Sequence, residues 1–138
     1  MPDSPTSAAP AKLAEYRRLV HNGLPHYGQH LIATALGCNE SILSIETMSE
    51  FLKTMADEID MVRFGEPIVA RFGGGIETGI SGVQLIETSA IVIHTNDAHR
   101  DLYLDVFSCK AFEQSTVERV LDEYLSPTTT TSEVFYRR

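Results

Sequence analysis

Between Glu66 and Cys109 the chain lays down strand-like segments with almost nothing between them. Glu66–Phe72 (EPIVARF) is followed by the break Gly73-Gly74-Gly75. Ile80–Glu87 (ISGVQLIE) runs on into Ser89–His94 (SAIVIH), and Leu102–Cys109 (LYLDVFSC) follows soon after. A parallel pair needs a crossover of a dozen or more residues, usually a helix. These gaps hold no helix, so this part of the sheet is expected to be antiparallel. Leu102–Cys109 alternates: Leu102, Leu104 and Val106 take one face, and Tyr103, Asp105, Phe107 and Cys109 the other.

Helical periodicity flanks this block. Thr47–Met61 carries Met48, Phe51, Leu52, Met55 and Ile59 on one stripe, with Thr47 and Glu50 spaced as a capping box. The methionines read as core, not as a cofactor box. Thr116–Leu125 places Val117, Val120, Leu121 and Leu125 on its apolar face. Ala11–His21 predicts a first helix through Leu13, Tyr16 and Val20, stopped by Asn22-Gly23. Gln29–Leu36 reads as a strand between glycines, and Glu133–Tyr136 as a last strand at an edge. The expected fold is an α+β two-layer sandwich, a mainly antiparallel sheet with helices on one face. Its other face is either polar or packs on a second sheet in a dimer.

At 138 residues one domain is expected. A net charge of −8, with basic pairs at Arg17-Arg18 and Arg137-Arg138, argues against nucleic acid and anionic membranes as partners. No apolar run approaches the roughly 20 residues of a membrane span. The start, MPDSPTSAAPA, lacks the pattern of a signal peptide and reads as a disordered tail over residues 1–10. Two cysteines, Cys38 and Cys109, read as free thiols in a reducing, cytoplasmic setting.

Chemistry concentrates in Ile86–Asp97 (IETSAIVIHTND), an apolar strand with Ser89 at one end and His94 at the other. A Ser-His-Asp hydrolase can be written from Ser89, His94 and Asp97 or Asp101, but no G-x-S-x-G surrounds Ser89. In an unbroken strand Ser89 and His94 face opposite sides, so bringing them together demands a kink or turn near Ser89. From spacing alone, Ser89 reads as a polar strand-end residue and His94 as a core histidine. Gly73–Gly75 lacks the Lys-Ser/Thr of a phosphate loop and reads as a flexible connection. His26 and His30 straddle Gly28 outside any helix, and no metal site is expected.

The segment GISGVQLIETSAIVIHT followed by DLYLDVFSC resembles the prokaryotic S-adenosylmethionine decarboxylases. That family reads approximately G-V-S-G-V-V-V-I-x-E-S-H-L-x-I-H-T-W-P-E, then D-x-F-T-C-G. The match falls on Gly79, Ser81, Gly82, Val83, Ile86, Ser89, Ile93, His94, Thr95, Asp105, Phe107 and Cys109 without a gap. Upstream, YGQHLIATALGCN is similar to the family's opening strand. The resemblance covers roughly Tyr27–Leu125. It divides the chain into the tail, an extra helix and linker over residues 11–26, and a decarboxylase-like domain over residues 27–138.

The resemblance implies a self-made cofactor. Ser89 would attack the carbonyl of Thr88, and cleavage between Thr88 and Ser89 would convert Ser89 into a pyruvoyl group. That group forms a Schiff base with a substrate amine and accepts the electrons of decarboxylation. His94 corresponds to the histidine that assists elimination, Ser81 to the serine that aids processing, and Cys109 to the thiol that returns a proton to the substrate carbon. The substrate implied is AdoMet, decarboxylated for spermidine synthesis. A homodimer formed through the sheet, with active sites near its interface, is also implied.

The chain departs from the family pattern at four places. Thr88 replaces the glutamate before the serine, and Ala90 the histidine after it. Asn96-Asp97-Ala98 stands for W-P-E, removing the glutamate that binds ribose. Gly75 occupies the place of an adenine-stacking aromatic, although Phe72 is close. Two alternatives follow. One is a pyruvoyl decarboxylase of arginine or ornithine, its cationic substrate facing Asp97, Asp101 or Glu77. The other is an uncleaved, non-catalytic homologue.

Overall fold

The structure is a computed structural model that describes residues 16–138. The sequence expectations for residues 1–15, the tail and the first turn of the N-terminal helix, lie outside the described residues. The rest of that expected helix is not helical. Leu19–His21 is a strand, β1, paired with Leu24–His26, β2. Asn22 (φ 52°) and Gly23 (φ 75°) form the two-residue turn between them. Asn-Gly is a strong hairpin signal because both residues tolerate positive φ. Here the turn chemistry prevails over an apolar spacing that also fits a helix. The ring of His21 stacks 3.6 Å from that of Tyr136, which fastens the hairpin to the last strand.

The main sheet contains β3 (Gly28–Leu36), β4 (Ile68–Phe72), β5 (Gly79–Ile86), β6 (Ser89–Asn96), β7 (Asp101–Ser108) and β8 (Thr129–Arg137). Its order is β4-β5-β6-β7-β3-β8, and every neighbouring pair is antiparallel. The close spacing of the middle strands thus yields consecutive hairpins, as expected. β8 is an edge strand and is longer than the Glu133–Tyr136 core read from sequence, because the preceding threonines also pair with β3.

Two helices, α1 (Ile45–Glu58) and α2 (Gln114–Leu125), cover one face. α1 begins one turn earlier than its apolar stripe indicates. Its cap is Ser44, whose Oγ accepts from the Thr47 backbone N–H at 3.1 Å, so Thr47 lies inside the helix and is not the capping residue. α2 ends at Ser126, in a left-handed conformation before Pro127.

Strand alternation and helical stripes meet in one core. Leu31, Ile80, Ile91, Ile93, Leu102 and Val106 from the sheet pack against Met48, Phe51, Leu52 and Met55 of α1 and Val117, Leu121 and Leu125 of α2. Each such side chain contributes about 1.5–3 kcal/mol on burial. The glycines of the matched motif serve this packing. A Cβ on Gly79 would sit 1.8 Å from the Thr95 carbonyl oxygen, and one on Gly82 would press on Leu52 and Ile93.

Among the described residues, the opposite face of the sheet carries no layer. Ile68, Phe72, Leu85, Tyr103 and Phe135 are exposed along it, and the first two are 71% and 61% accessible. Between these apolar side chains the same face carries Ser81, His94 and the His30–Asp105 pair, so it is mixed and not uniformly polar.

Candidate active site

The β5–β6 connection places the central residues. Ile86 pairs with Ser89, so Glu87 and Thr88 alone make the turn. Thr88 has φ 59°. For a β-branched residue this is a strained conformation, worth on the order of 1–3 kcal/mol. The strained residue is the one that precedes Ser89.

Ser89 opens β6 with its Oγ accepting from the Cys109 backbone N–H at 3.0 Å. The Thr88 hydroxyl donates to the Glu87 carbonyl at 2.6 Å and lies 2.8 Å from the Cys109 sulfur. A hydroxyl carries one proton, so with that proton on Glu87 the thiol is the donor to Thr88 Oγ1. Cys109 is partly exposed beside a cavity of about 200 Å³ lined by Met61, Val62, Glu87, Thr88, Cys109 and Lys110.

Ser81 and His94 form a separate pair. They oppose each other across the β5–β6 ladder, with Ser81 Oγ 3.0 Å from His94 Nδ1. Both lie on the open face, in a groove of about 260 Å³ bordered by Ile68, Phe72, Val83 and Val92. His94 is exposed, not a core histidine. Phe72 is the aromatic ring of this groove.

The four candidate residues therefore form two clusters. The turn demanded by the sequence exists, but it falls before Ser89. From Ser89 onward β6 is regular, so Ser89 takes the parity of buried Ile91 and Ile93, and His94 that of Val92. Five residues at about 3.3 Å each separate them by roughly 16 Å along the strand. Asp97 and Asp101, offered by the sequence as acidic partners, are engaged at the far end of the hairpin. Asp97 pairs with Arg71 at 2.9 Å, and Asp101 accepts from the Gly37 backbone at 3.0 Å.

Tyr27 has no signal in the sequence. Its hydroxyl reaches to 3.5 Å from the carbonyl oxygen of Thr88, 61 residues away. The sheet order brings it there, because β3 pairs with β7 and β7 with β6, with Gln29 opposite Ser108 and Phe107 opposite Ala90.

Fold and site together define a two-layer α+β protein whose candidate chemistry sits on a strained β-hairpin and its open sheet face. Comparison with known proteins gives the family. A profile of the S-adenosylmethionine decarboxylases matches residues 29–138. The chain is 31% identical over 105 residues to an S-adenosylmethionine decarboxylase proenzyme of Clostridium botulinum, covering 74% of this chain and 86% of that one. It is 32% identical over 82 residues to the arginine decarboxylase proenzyme of Caldivirga maquilingensis, covering 59% of this chain and 61% of that protein's length. The crystal structure of the adenosylmethionine decarboxylase from Aquifex aeolicus superposes with a TM-score of 0.65 at 24% identity, covering 81% of this chain and 91% of that one. The chain belongs to the S-adenosylmethionine decarboxylase family. Members are pyruvoyl-dependent carboxy-lyases made as proenzymes, in which an internal serine becomes the pyruvoyl group by autocleavage.

Proposed function

We propose that this chain is a proenzyme that cleaves itself between Thr88 and Ser89 and then decarboxylates S-adenosylmethionine, giving the aminopropyl donor of spermidine synthesis in the cytoplasm. One observation carries the reading: Thr88 is held in a strained conformation with the Cys109 thiol against its side chain, and the hydroxyl of the next residue, Ser89, is held by the Cys109 N–H. The residues fit a pyruvoyl group at position 89, since the partly exposed start of β6 adjoins a cavity in which a small ketone is reachable.

In processing, Ser89 Oγ adds to the Thr88 carbonyl carbon and loses its proton. The C–N bond then breaks, the Ser89 nitrogen takes a proton, and an ester links the two halves. Removal of the Ser89 α-proton expels the Thr88 carboxylate, and water replaces the resulting imine nitrogen, releasing ammonia. Release of the φ strain at Thr88 favours this course. His94 accepts a proton in the elimination. With Nδ1–H donating to Ser81 Oγ, its Nε2 is the free base.

Once formed, the pyruvoyl group supplies a ketone for the substrate amine and a conjugated carbonyl that accepts the electrons freed as CO2 leaves. Cys109 holds a proton on Sγ beside this position and returns it to the substrate carbon.

The two clusters call for a homodimer. Within one chain His94 stands roughly 16 Å along the strand from Ser89, on the other side of the sheet. A second copy packed on the open face brings its own Ser81–His94 pair toward the first copy's hairpin. The grooves of about 260 and 200 Å³ are each smaller than the ~300 Å³ usual for a ligand of nucleoside size, as expected of half-sites. Phe72 is the surface on which adenine stacks.

The likeness to an arginine decarboxylase proenzyme supports a second reading, with arginine as substrate. The test has two stages. A denaturing gel of purified protein shows two fragments split at Thr88–Ser89 if the chain is a proenzyme, and one intact chain if it is a non-catalytic homologue. CO2 release from AdoMet, arginine and ornithine then assigns the substrate. Release from arginine alone would replace the first reading by the second.

A further inference from the structure

Processing through Ser89 places negative charge on one atom, the carbonyl oxygen of Thr88, when the hydroxyl adds to its carbon. An oxyanion forming at this hairpin is stabilised by a donor aimed at it. Among the described residues, the hydrogen-bond donor to that oxygen is the Tyr27 hydroxyl, at 3.5 Å.

We propose that Tyr27 is the oxyanion donor for self-cleavage, a catalytic residue of processing that acts before the ester exists. The proposal rests on the self-processing reading above.

The surroundings hold Tyr27 for this task. Its backbone N–H donates to the Arg137 carbonyl at 2.6 Å, fixing the start of β3 against the end of β8. Its ring lies between those of Phe107, at 5.9 Å between centroids, and Tyr16, at 5.7 Å. Gly28 makes room for this packing, since a Cβ there would meet the Phe107 ring at 2.8 Å. A ring wedged between two others keeps its hydroxyl directed at the hairpin without entropy to lose on reaction. The distance is long for the ground state, as donors placed for a transition state often are. As the carbonyl carbon becomes tetrahedral its oxygen leaves the peptide plane, and the bond gains charge and shortens.

The step balances within the chain. The Ser89 Oγ–H bond breaks and its proton passes to solvent water at this exposed turn, the Oγ–C bond forms and the C=O pair moves onto oxygen. Tyr27 donates a hydrogen bond to that oxygen and keeps its proton. When the C–N bond breaks, the pair returns to the carbonyl and the Ser89 nitrogen takes up a proton.

The test is the first-order rate of cleavage of freshly synthesised chain, followed on denaturing gels for wild type, Tyr27→Phe and Tyr16→Leu. Tyr27→Phe keeps the ring and removes the donor. It is expected to cleave roughly 10- to 100-fold more slowly at unchanged Tm, in the lower part of the range seen when an oxyanion donor is lost. Hydroxylamine, which cuts esters, is expected not to restore its rate, because the slowed step precedes the ester. Tyr16→Leu disturbs the packing and keeps the hydroxyl, so it is expected to cleave faster than Tyr27→Phe.

Wild-type cleavage with an equal rate in Tyr27→Phe overturns the proposal and leaves the parent reading intact. So does rescue by hydroxylamine, which would place the tyrosine after ester formation, and so does equal slowing in both variants, which would assign the effect to packing. A wild-type chain that never cleaves removes the parent reading, and this one with it.

Discussion

Ser81 and His94 face each other across β5 and β6 with 3.0 Å between hydroxyl and imidazole, yet the serine they are expected to assist lies at the other end of the same strand. A site divided in this way behaves differently from one assembled within a chain. The difference is measurable by complementation. Ser89→Ala and His94→Ala chains are each expected to fail to mature when expressed alone. Co-expressed, they are expected, on the dimer proposed above, to form mixed dimers in which the His94→Ala chain retains Ser89 and its partner retains His94. Fragments are then expected from the His94→Ala chain only. Absence of cleavage in the mixture would place both residues in one chain's site.

Ser89→Ala alone removes the attacking oxygen. The purified variant is expected to keep the mass of the uncut polypeptide and to release no CO2 from AdoMet. Mass spectrometry and the CO2 assay check this together, and full turnover in the uncut variant would refute the mechanism.

Cys109→Ala separates maturation from turnover. The Cys109 backbone N–H that orients Ser89 is retained, so cleavage is expected to proceed. Decarboxylation is expected to fall roughly 10²- to 10⁴-fold, the usual range for a lost proton donor. Single-turnover CO2 release on the cleaved variant is the measurement.

The two thiols are expected to differ in reactivity. Burial pushes the Cys38 thiol up to about 11, with the charge of Asp101 adding and that of Arg100 opposing. A thiol raised in this way has almost no thiolate at pH 8 and reacts slowly. Titration of native Ser89→Ala protein with a thiol reagent at pH 8 is expected to find one fast group, Cys109. A second appears on denaturation or as pH approaches 11.

Stability is expected to depend on the α1–sheet contact. Phe51 is fully buried and meets the Tyr124 ring edge-on at 5.6 Å. Phe51→Ala is expected to cost about 3–5 kcal/mol, read as a lower midpoint in urea unfolding of the uncleaved Ser89→Ala background.

Period and spacing determined much of this protein. Alternation in Leu102–Ser108 assigned its two faces, the stripe from Met48 to Met55 gave a core helix, and gaps too short for crossovers required an antiparallel sheet. The resemblance singled out Ser81, Ser89, His94 and Cys109. What fails from sequence is whatever depends on a choice between two local signals or on distant pairing. Leu19–His21 fits helix and strand alike, and only its partner strand and the Tyr136 ring decide for the hairpin. The cap of α1 moved to Ser44 because a hydroxyl there reaches a free N–H. Tertiary structure alone decided that the candidate site is split. A β-strand sends alternate side chains to opposite faces whatever its sequence, so no turn placed before Ser89 reunites it with His94. It alone also brought Tyr27 to the Thr88 carbonyl, since strand order, not distance along the chain, determines which residues share an end of a sheet.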